Sequence, residues 1–299
     1  MKSLTEFIKE SLINEGGHAV NGTPMTQVQA REVYNDVAEF LKTLGLTEEG
    51  VDFCALGSFG KKFDDQTSGD IDIAISVDKI ASENHLALDE VEQYICDVLD
   101  RFNINYVCNT GIHVISLSWP FPSDKSLFGQ VDLMPTTSMD FSKWMYYSPD
   151  FRSAESKYKG LYRNQLIMAI LKFADRKVLS KTEQGDIIEY ERYALRLNSG
   201  LARTRRSFMG KRGGLIKTEK ALKEFERQVT NVPDEIVKIA FGENTLASQV
   251  MTFEAAYEKF MSNDFPWAGE RKKIIDSFVH ELTSNKFPIP MEVSKDWNV

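Results

Sequence analysis

Leu56–Ile75 reads LGSFGKKFDDQTSGDIDIAI. From Asp70 onward apolar and other residues alternate. In a strand this puts Asp70, Asp72, Ala74 and Ser76 on one face and Ile71, Ile73, Ile75 and Val77 on the other. The isoleucine face supplies a core. The aspartate face crowds two carboxylates, and their repulsion raises a pKa unless a cation intervenes. Mg2+ suits such a pair, because it takes hard oxygen ligands, usually a few carboxylates completed by water and phosphate. Upstream, Gly57 lets backbone amides approach a ligand closely, and Ser58 offers a hydroxyl at an expected helix N-terminus, a setting for phosphate. Lys61 and Lys62 add positive charge nearby. Taken one at a time, these residues equally fit a turn glycine, solvated lysines and acids at a strand end.

The flanking sequence gives the quoted stretch an α/β setting. Val28, Val33, Val37, Phe40, Leu41 and Leu44 form one apolar stripe, predicting a helix over 26–44 that Gly45 ends. Strands are predicted over 51–57 and 70–77, then a helix over 86–102. Further strands are predicted over 104–108, 112–117 and 128–134. Helix and strand interleave from about 50 to 135, which implies a mixed sheet. Beyond 150 the spacing predicts helices over 161–179, 218–229, 233–241, 246–261 and 270–282, with a strand-like interruption over 187–197. The expected fold class is α+β. Its expected parts are a leader or docking helix over 1–15, a helical segment over 16–50, an α/β domain over 51–150 and a mainly helical domain over 151–299.

Composition narrows the function classes. Of the 299 residues 42% are apolar and 27% charged, which describes an ordinary globular protein, and no apolar run reaches the roughly 20 residues of a membrane helix. No membrane partner is expected. Cys54, Cys96 and Cys108 are too widely spaced for a zinc ligand pattern and too few for a disulfide framework, which places the chain in a reducing, cytoplasmic setting. His18, His85, His113 and His280 are scattered, with His113 expected in a strand as a hydrogen-bonded structural residue. Met168, Phe173, Met251, Phe253 and Phe260 recur at helical spacing and are read as core. The net charge of −8 excludes a protein that coats nucleic acid by bulk attraction. Yet RTRRSFMGKRGGLIK (203–217) carries six Lys/Arg and no acid, so Arg203, Arg205, Arg206, Lys211 and Arg212 are candidates for holding a polyanionic acceptor. The alternative is a solvated face paired with acids elsewhere.

The combination GSF, a short basic insert and TSGDIDIAI resembles the signature of the DNA polymerase β-like nucleotidyltransferase superfamily, family X polymerases above all. The resemblance implies a nucleotidyltransferase-type α/β fold in which two aspartates and a third on a later strand bind two Mg2+ ions, Mn2+ being an alternative. Asp70 and Asp72 match the pair. Asp132, in FGQVDLMP, fits the third position 60 residues after Asp72. Gly57, Ser58, Lys61 and Lys62 are then implied to hold a nucleoside triphosphate such as ATP. The acceptor hydroxyl is implied to lie at a tRNA or DNA end, or on a protein or small molecule as in toxin-like and resistance transferases. The match spans about 51–135. YYSPDFRSAESKYKGLYRNQ (146–165) occupies the place where such enzymes contact base and sugar, making Tyr147, Lys157 and Arg163 candidates; packing for Tyr147 and a helix-surface role for Arg163 are the alternatives. The insert after Ser58 is longer than in family X and no helix-hairpin-helix signature is present, so a terminal or single-nucleotide transferase is expected rather than a processive polymerase.

The first residues, MKSLTEFIKES, are similar to the capsid-targeting leader of internal head proteins in T-even-type phages, and LINE before Gly16 resembles their maturation cleavage site. That resemblance implies a packaged virion protein. Leu4, Phe7, Ile8, Leu12 and Ile13 equally fit a plain amphipathic docking helix.

Overall fold

The computed structural model describes residues 20, 22–110, 112–153, 155–210 and 214–299, and the proposed leader with its helix lies outside the described residues. The chain divides into two compact units, Met1–Lys157 and Tyr158–Val299. Among the described residues, no helix is long and apolar enough to cross a membrane.

In the first unit the elements are β1 (Met25–Thr26), α1 (Gln27–Lys42), β2 (Phe53–Ala55), β3 (Thr67–Ser68), β4 (Asp70–Ser76), α2 (Val77–Asn84), α3 (Val91–Arg101), β5 (Asn105–Asn109), β6 (Val114–Pro120), β7 (Phe128–Thr136) and α4 (Met139–Met145). The Thr26 hydroxyl caps α1 by accepting from Gln29 N, and Gln29 Oε1 accepts from Thr26 N in return, a reciprocal cap that contributes about 1 kcal/mol. Five strands form a mixed sheet in the order β2-β4-β7-β6-β5, where β4 and β7 run parallel and the other neighbours antiparallel.

Alternation along β4, β6 and β7 divides this sheet chemically. One face turns Ile71, Ile73, Ile75, Ile115, Leu117, Val131 and Leu133 into a core shared with α1, α2 and α3. Each such side chain, fully buried, contributes roughly 1.5–3 kcal/mol. The other face carries the aspartates of β4 and a small apolar cluster of Cys54, Leu56, Ala74 and Met134. Helix α1 buries Ala30, Val33, Tyr34, Val37, Phe40 and Leu41 in the same core, so it belongs to this unit. Val28, expected on the stripe, is exposed. His113 sits in the turn before β6 at positive φ, where its Nδ1 meets Glu92 Oε1 at 2.5 Å.

The second unit holds α5 (Gly160–Phe173), β8 (Lys177–Lys181), β9 (Ile187–Arg196), β10 (Gly200–Met209), β11 (Leu215–Thr230), α6 (Pro233–Phe241), α7 (Phe253–Met261), α8 (Arg271–Ser284) and α9 (Met291–Trp297). Helix α5 packs on α7, α8 and β9. Its Leu166 and Ile170 lie in a buried set with Phe253, Phe260, Ile274 and Phe278, and the rings of Phe253 and Phe278 stack at 5.8 Å.

The expectation of a mainly helical region needs correction. Helices lie at both ends, but the middle is a four-stranded antiparallel sheet in the order β11-β10-β9-β8. The predicted helix over 218–229 is part of the strand β11, and 200–209 is a strand the apolar pattern did not reveal. The reason lies in the pairing of β10 with β11. Arg203 faces Arg227 while Arg205 faces Leu222, and Ser207 faces Lys220 while Met209 faces Leu215. Each irregularity loops extra residues out of β11, so its covered positions recur every third residue instead of every second. The covered positions are Ile216, Glu219, Leu222 and Phe225, and Leu222 and Phe225 thereby imitate helical spacing.

Candidate metal and phosphate site

The parallel register of β4 and β7 sets Asp132 beside Asp72 and Gln130 beside Asp70. One ligand oxygen from each of Asp70, Asp72 and Asp132 lies within 4.8 Å of the others, and all three residues are half-buried. Two strands whose acids are 60 positions apart in sequence thus deliver three carboxylates to one place. Antiparallel β6 brings Ser116 opposite Asp132.

These carboxylates lack a charge partner: among the described residues, none of the three makes an ion pair. Gln130 Nε2 donates to both oxygens of Asp132 at 3.0 Å, while Gln130 Oε1 is buried without a partner. Burial, then the neighbouring Asp132, lifts the Asp70 carboxyl to about 6, against the lowering pull of Lys62. Asp72 is held well above the usual carboxylate range by burial, then by Asp70 and Asp132. Burial also raises Asp132, opposed by hydrogen bonds from Ser116 and Gln130. Three crowded hard-oxygen donors with no ion pair among the described residues, and only Lys62 acting on Asp70 from further off, form a set able to hold a metal ion.

Gly57 stands against this cluster. Its φ is +61°, and a Cβ there would meet Asp72 Oδ2 at 2.8 Å, so only glycine leaves the carboxylate room. The expectation was that a small residue here lets backbone amides approach a ligand closely; the Gly57 N–H itself donates to Tyr146 O at 3.1 Å, in a bridge that pairs Gly57 with Tyr147. Ser58 was expected to open a helix. It lies in a turn, closed by Lys61 N donating to Ser58 O at 3.1 Å, and its half-buried side chain has no hydrogen-bond partner among the described residues.

Lys61 Nζ donates to Ser148 O at 2.6 Å and sits 4.6 Å from the centre of the Tyr147 ring, which ties the turn to the segment after α4. Lys62 Nζ donates to Thr67 O at 3.0 Å and Ser68 Oγ at 3.2 Å. Burial lowers the pKa of both lysines. Tyr147 donates its hydroxyl to Glu155. Lys157 is exposed at the end of the first unit.

The remaining candidates lie in the second unit. Arg163 was weighed as a nucleotide contact or a helix-surface residue; it is neither presented to solvent nor on the surface. It is 0% exposed on α5 and donates to Asn164 Oδ1 and Met251 O. The basic segment does not make one patch. Alternation along β10 sends Arg203 and Arg205 to one face, where Glu191 lies 3.7 and 3.2 Å away, and Arg206 to the other. Arg203 also reaches Asp175 and lies over the Tyr193 ring, while Arg205 lies over Phe225. Lys211 and Arg212 lie outside the described residues.

Gln130, Ser116 and Tyr146, whose pKa burial and then Asp72 raise, complete the surroundings of the acids. Gln130 could have been found from sequence, two residues before Asp132 and therefore on its face of the strand. Ser116 could not, because cross-strand neighbours depend on register.

No protein-family model matches the sequence, and no curated protein matches it.

Proposed function

We propose that the protein is a Mg2+-dependent nucleotidyltransferase, moving a nucleoside monophosphate from a nucleoside triphosphate to an acceptor hydroxyl. The observation that carries this reading is the convergence of Asp70, Asp72 and Asp132 beside the Gly57–Ser58 turn. The three carboxylates would hold the metal, Asp70 and Asp72 from one strand and Asp132 from its parallel neighbour. When bound, divalent ions at such a site supply electrostatic stabilisation of the charge that develops during phosphoryl transfer. Asp132, its carboxyl raised by burial and oriented by hydrogen bonds from Gln130 and Ser116, is the residue suited to accept the proton of the attacking hydroxyl. Ser58 keeps a free hydroxyl for a phosphate oxygen. Lys61 and Lys62 fix the shape of the turn through backbone carbonyls while keeping positive charge near it.

The test is transfer of labelled nucleotide. Each labelled triphosphate is incubated with Mg2+ or Mn2+ and a panel of RNA, DNA, protein and small-molecule acceptors. Label retained on any acceptor, and lost with Asp132→Asn, is the expected result; no transfer under any condition overturns the reading. A second reading concerns the acceptor. Because Arg203 and Arg205 are already matched to Glu191 and Asp175, a protein or small-molecule acceptor is favoured over a nucleic-acid end held by that segment.

A further inference from the structure

The second unit contains a cavity of about 280 Å3 between α5, β9 and α8. Its polar wall is Lys172, Arg192, Gln165, Ser277 and Glu281, and Met168, Ala169 and Leu195 give it an apolar side. Its volume lies near the lower end of small-molecule sites, roughly 300–1,000 Å3, which suits one compact ligand or the terminal nucleotide of a chain.

Positive charge concentrates behind this wall. Arg192, Arg196 and Arg206 share one face of the β9–β10 pair, since Thr204 is registered with Arg192 and Arg206 with Tyr190. Arg176 joins them, its guanidinium 3.7 Å from the centre of the Tyr190 ring. The acids facing the group are fewer. Glu219 pairs with Arg192 at 2.6 Å, Glu226 with Arg196, and Glu281 stands at the cavity wall. Arg192 is only 11% exposed at its side chain, yet its buried Nε has no hydrogen-bond partner; the same is true of Nε of Arg176, Arg205 and Arg206 and of Arg203 Nη1, but of these Arg192 is the one that lines the cavity. A buried guanidinium N–H left unmatched is costly, and an anion is the group that relieves it. Lys172 Nζ has a single hydrogen bond, to Ser277 Oγ at 3.2 Å, and so keeps donors for a ligand. Burial, then Arg206, Arg176 and Arg196, pushes Arg192 down to about 10, the same excess of positive charge seen from another side.

We propose that this cavity binds a phosphorylated ligand of mononucleotide size, with its phosphate on Lys172 and Arg192 and its remainder against Met168, Ala169 and Leu195. Glu281 and Gln165 accept hydrogen bonds from its hydroxyl groups. The site is separate from the aspartate cluster and does not rest on the catalytic reading.

The experiment is calorimetric titration of the full chain carrying Asp72→Asn, in EDTA, so that metal-dependent binding at the acids is silenced. Probes are inorganic phosphate, a nucleoside monophosphate and a 5′-phosphorylated trinucleotide. Saturable binding of the monophosphate is expected, with inorganic phosphate competing more weakly. Loss of one charged hydrogen bond predicts about tenfold weaker binding in Lys172→Met. Glu281→Gln, which removes the opposing charge, tightens inorganic phosphate severalfold. Opposite signs from two variants at the wall are not produced by a general loss of folding. Trinucleotide binding in place of the free mononucleotide identifies a nucleic-acid end as the source of the phosphate. No saturable binding of any probe, or equal affinity in both variants, overturns the proposal, and neither result bears on transfer at the aspartates.

Discussion

The sheets of the two units handle crowded charge in opposite ways. In the first, Asp70, Asp72 and Asp132 meet without an ion pair among the described residues, and all three carboxyl pKa values are raised. In the second, Arg192, Arg196, Arg203 and Arg205 each have a carboxylate of their own chain within ion-pair distance, and of these four Arg192 also lines the cavity it shares with the cation Lys172. Charge that is satisfied internally is part of the architecture. Charge left in excess marks where something from outside binds. By this criterion the acids of β4 and β7 form a candidate metal site and Arg192 with Lys172 a candidate anion site, while Arg203 and Arg205, paired and outside that cavity, are structural despite standing out in the sequence.

The comparison breaks most readily at Asp72. Asp72→Asn is expected to lower nucleotide transfer by about 1,000-fold or more, since each ~1.4 kcal/mol of lost transition-state stabilisation is tenfold. The same substitution raises the thermal midpoint of the metal-free protein, because it removes repulsion. A lowered midpoint in EDTA would show the cluster to be structural. On the other sheet, Arg192→Met strands Glu219 and costs about 3 kcal/mol in urea unfolding, most of which Glu219→Gln restores in the double variant. Gly57→Ala is smaller again. Its left-handed φ alone costs about 1–2 kcal/mol, and the added methyl displaces the Asp72 carboxylate, so activity falls more than stability.

The pH dependence sharpens the contrast. A carboxyl whose folded pKa is raised binds more protons in the folded state than in the unfolded one. Its contribution is therefore complete below about 4 and is lost as pH rises through about 6, the value for Asp70. Metal-free protein should lose stability across that window. Mg2+ should restore the loss at pH 7.5 and change little at pH 4.5, as thermal scans with and without EDTA will read. The smallest effect is expected at Arg205→Gln, under about 1 kcal/mol, because the Arg205–Glu191 pair is partly exposed.

How much of this was legible depended on whether local periodicity and pairing agreed. Asp70–Ser76 was readable because its alternation is unbroken and its two faces differ in chemistry. Asp132 was readable for the same reason, with apolar Val131 and Leu133 on either side. Strand β11 was not, since the irregular pairing with β10 gives its side chains a spacing of three. The functions assigned to Gly57 and Ser58 were half legible. Glycine is required by the nearness of Asp72, a contact the sequence did not show, while its amide is engaged by Tyr146 O. The basic segment misled because a charge run says nothing about which strand face each residue takes or which acids await it across the sheet.

The parallel pairing of β4 with β7 also dictates when the acid cluster comes into being. The elements α2, α3, β5 and β6 lie between β4 and β7 in the chain, and β6 and β5 reach β4 only through β7. During synthesis, Asp70 and Asp72 leave the ribosome well ahead of Asp132, and a nascent chain that ends before β7 has no trio of carboxylates to repel one another. The electrostatic penalty is incurred only when β7 pairs with β4, a non-local contact that closes a long stretch of chain.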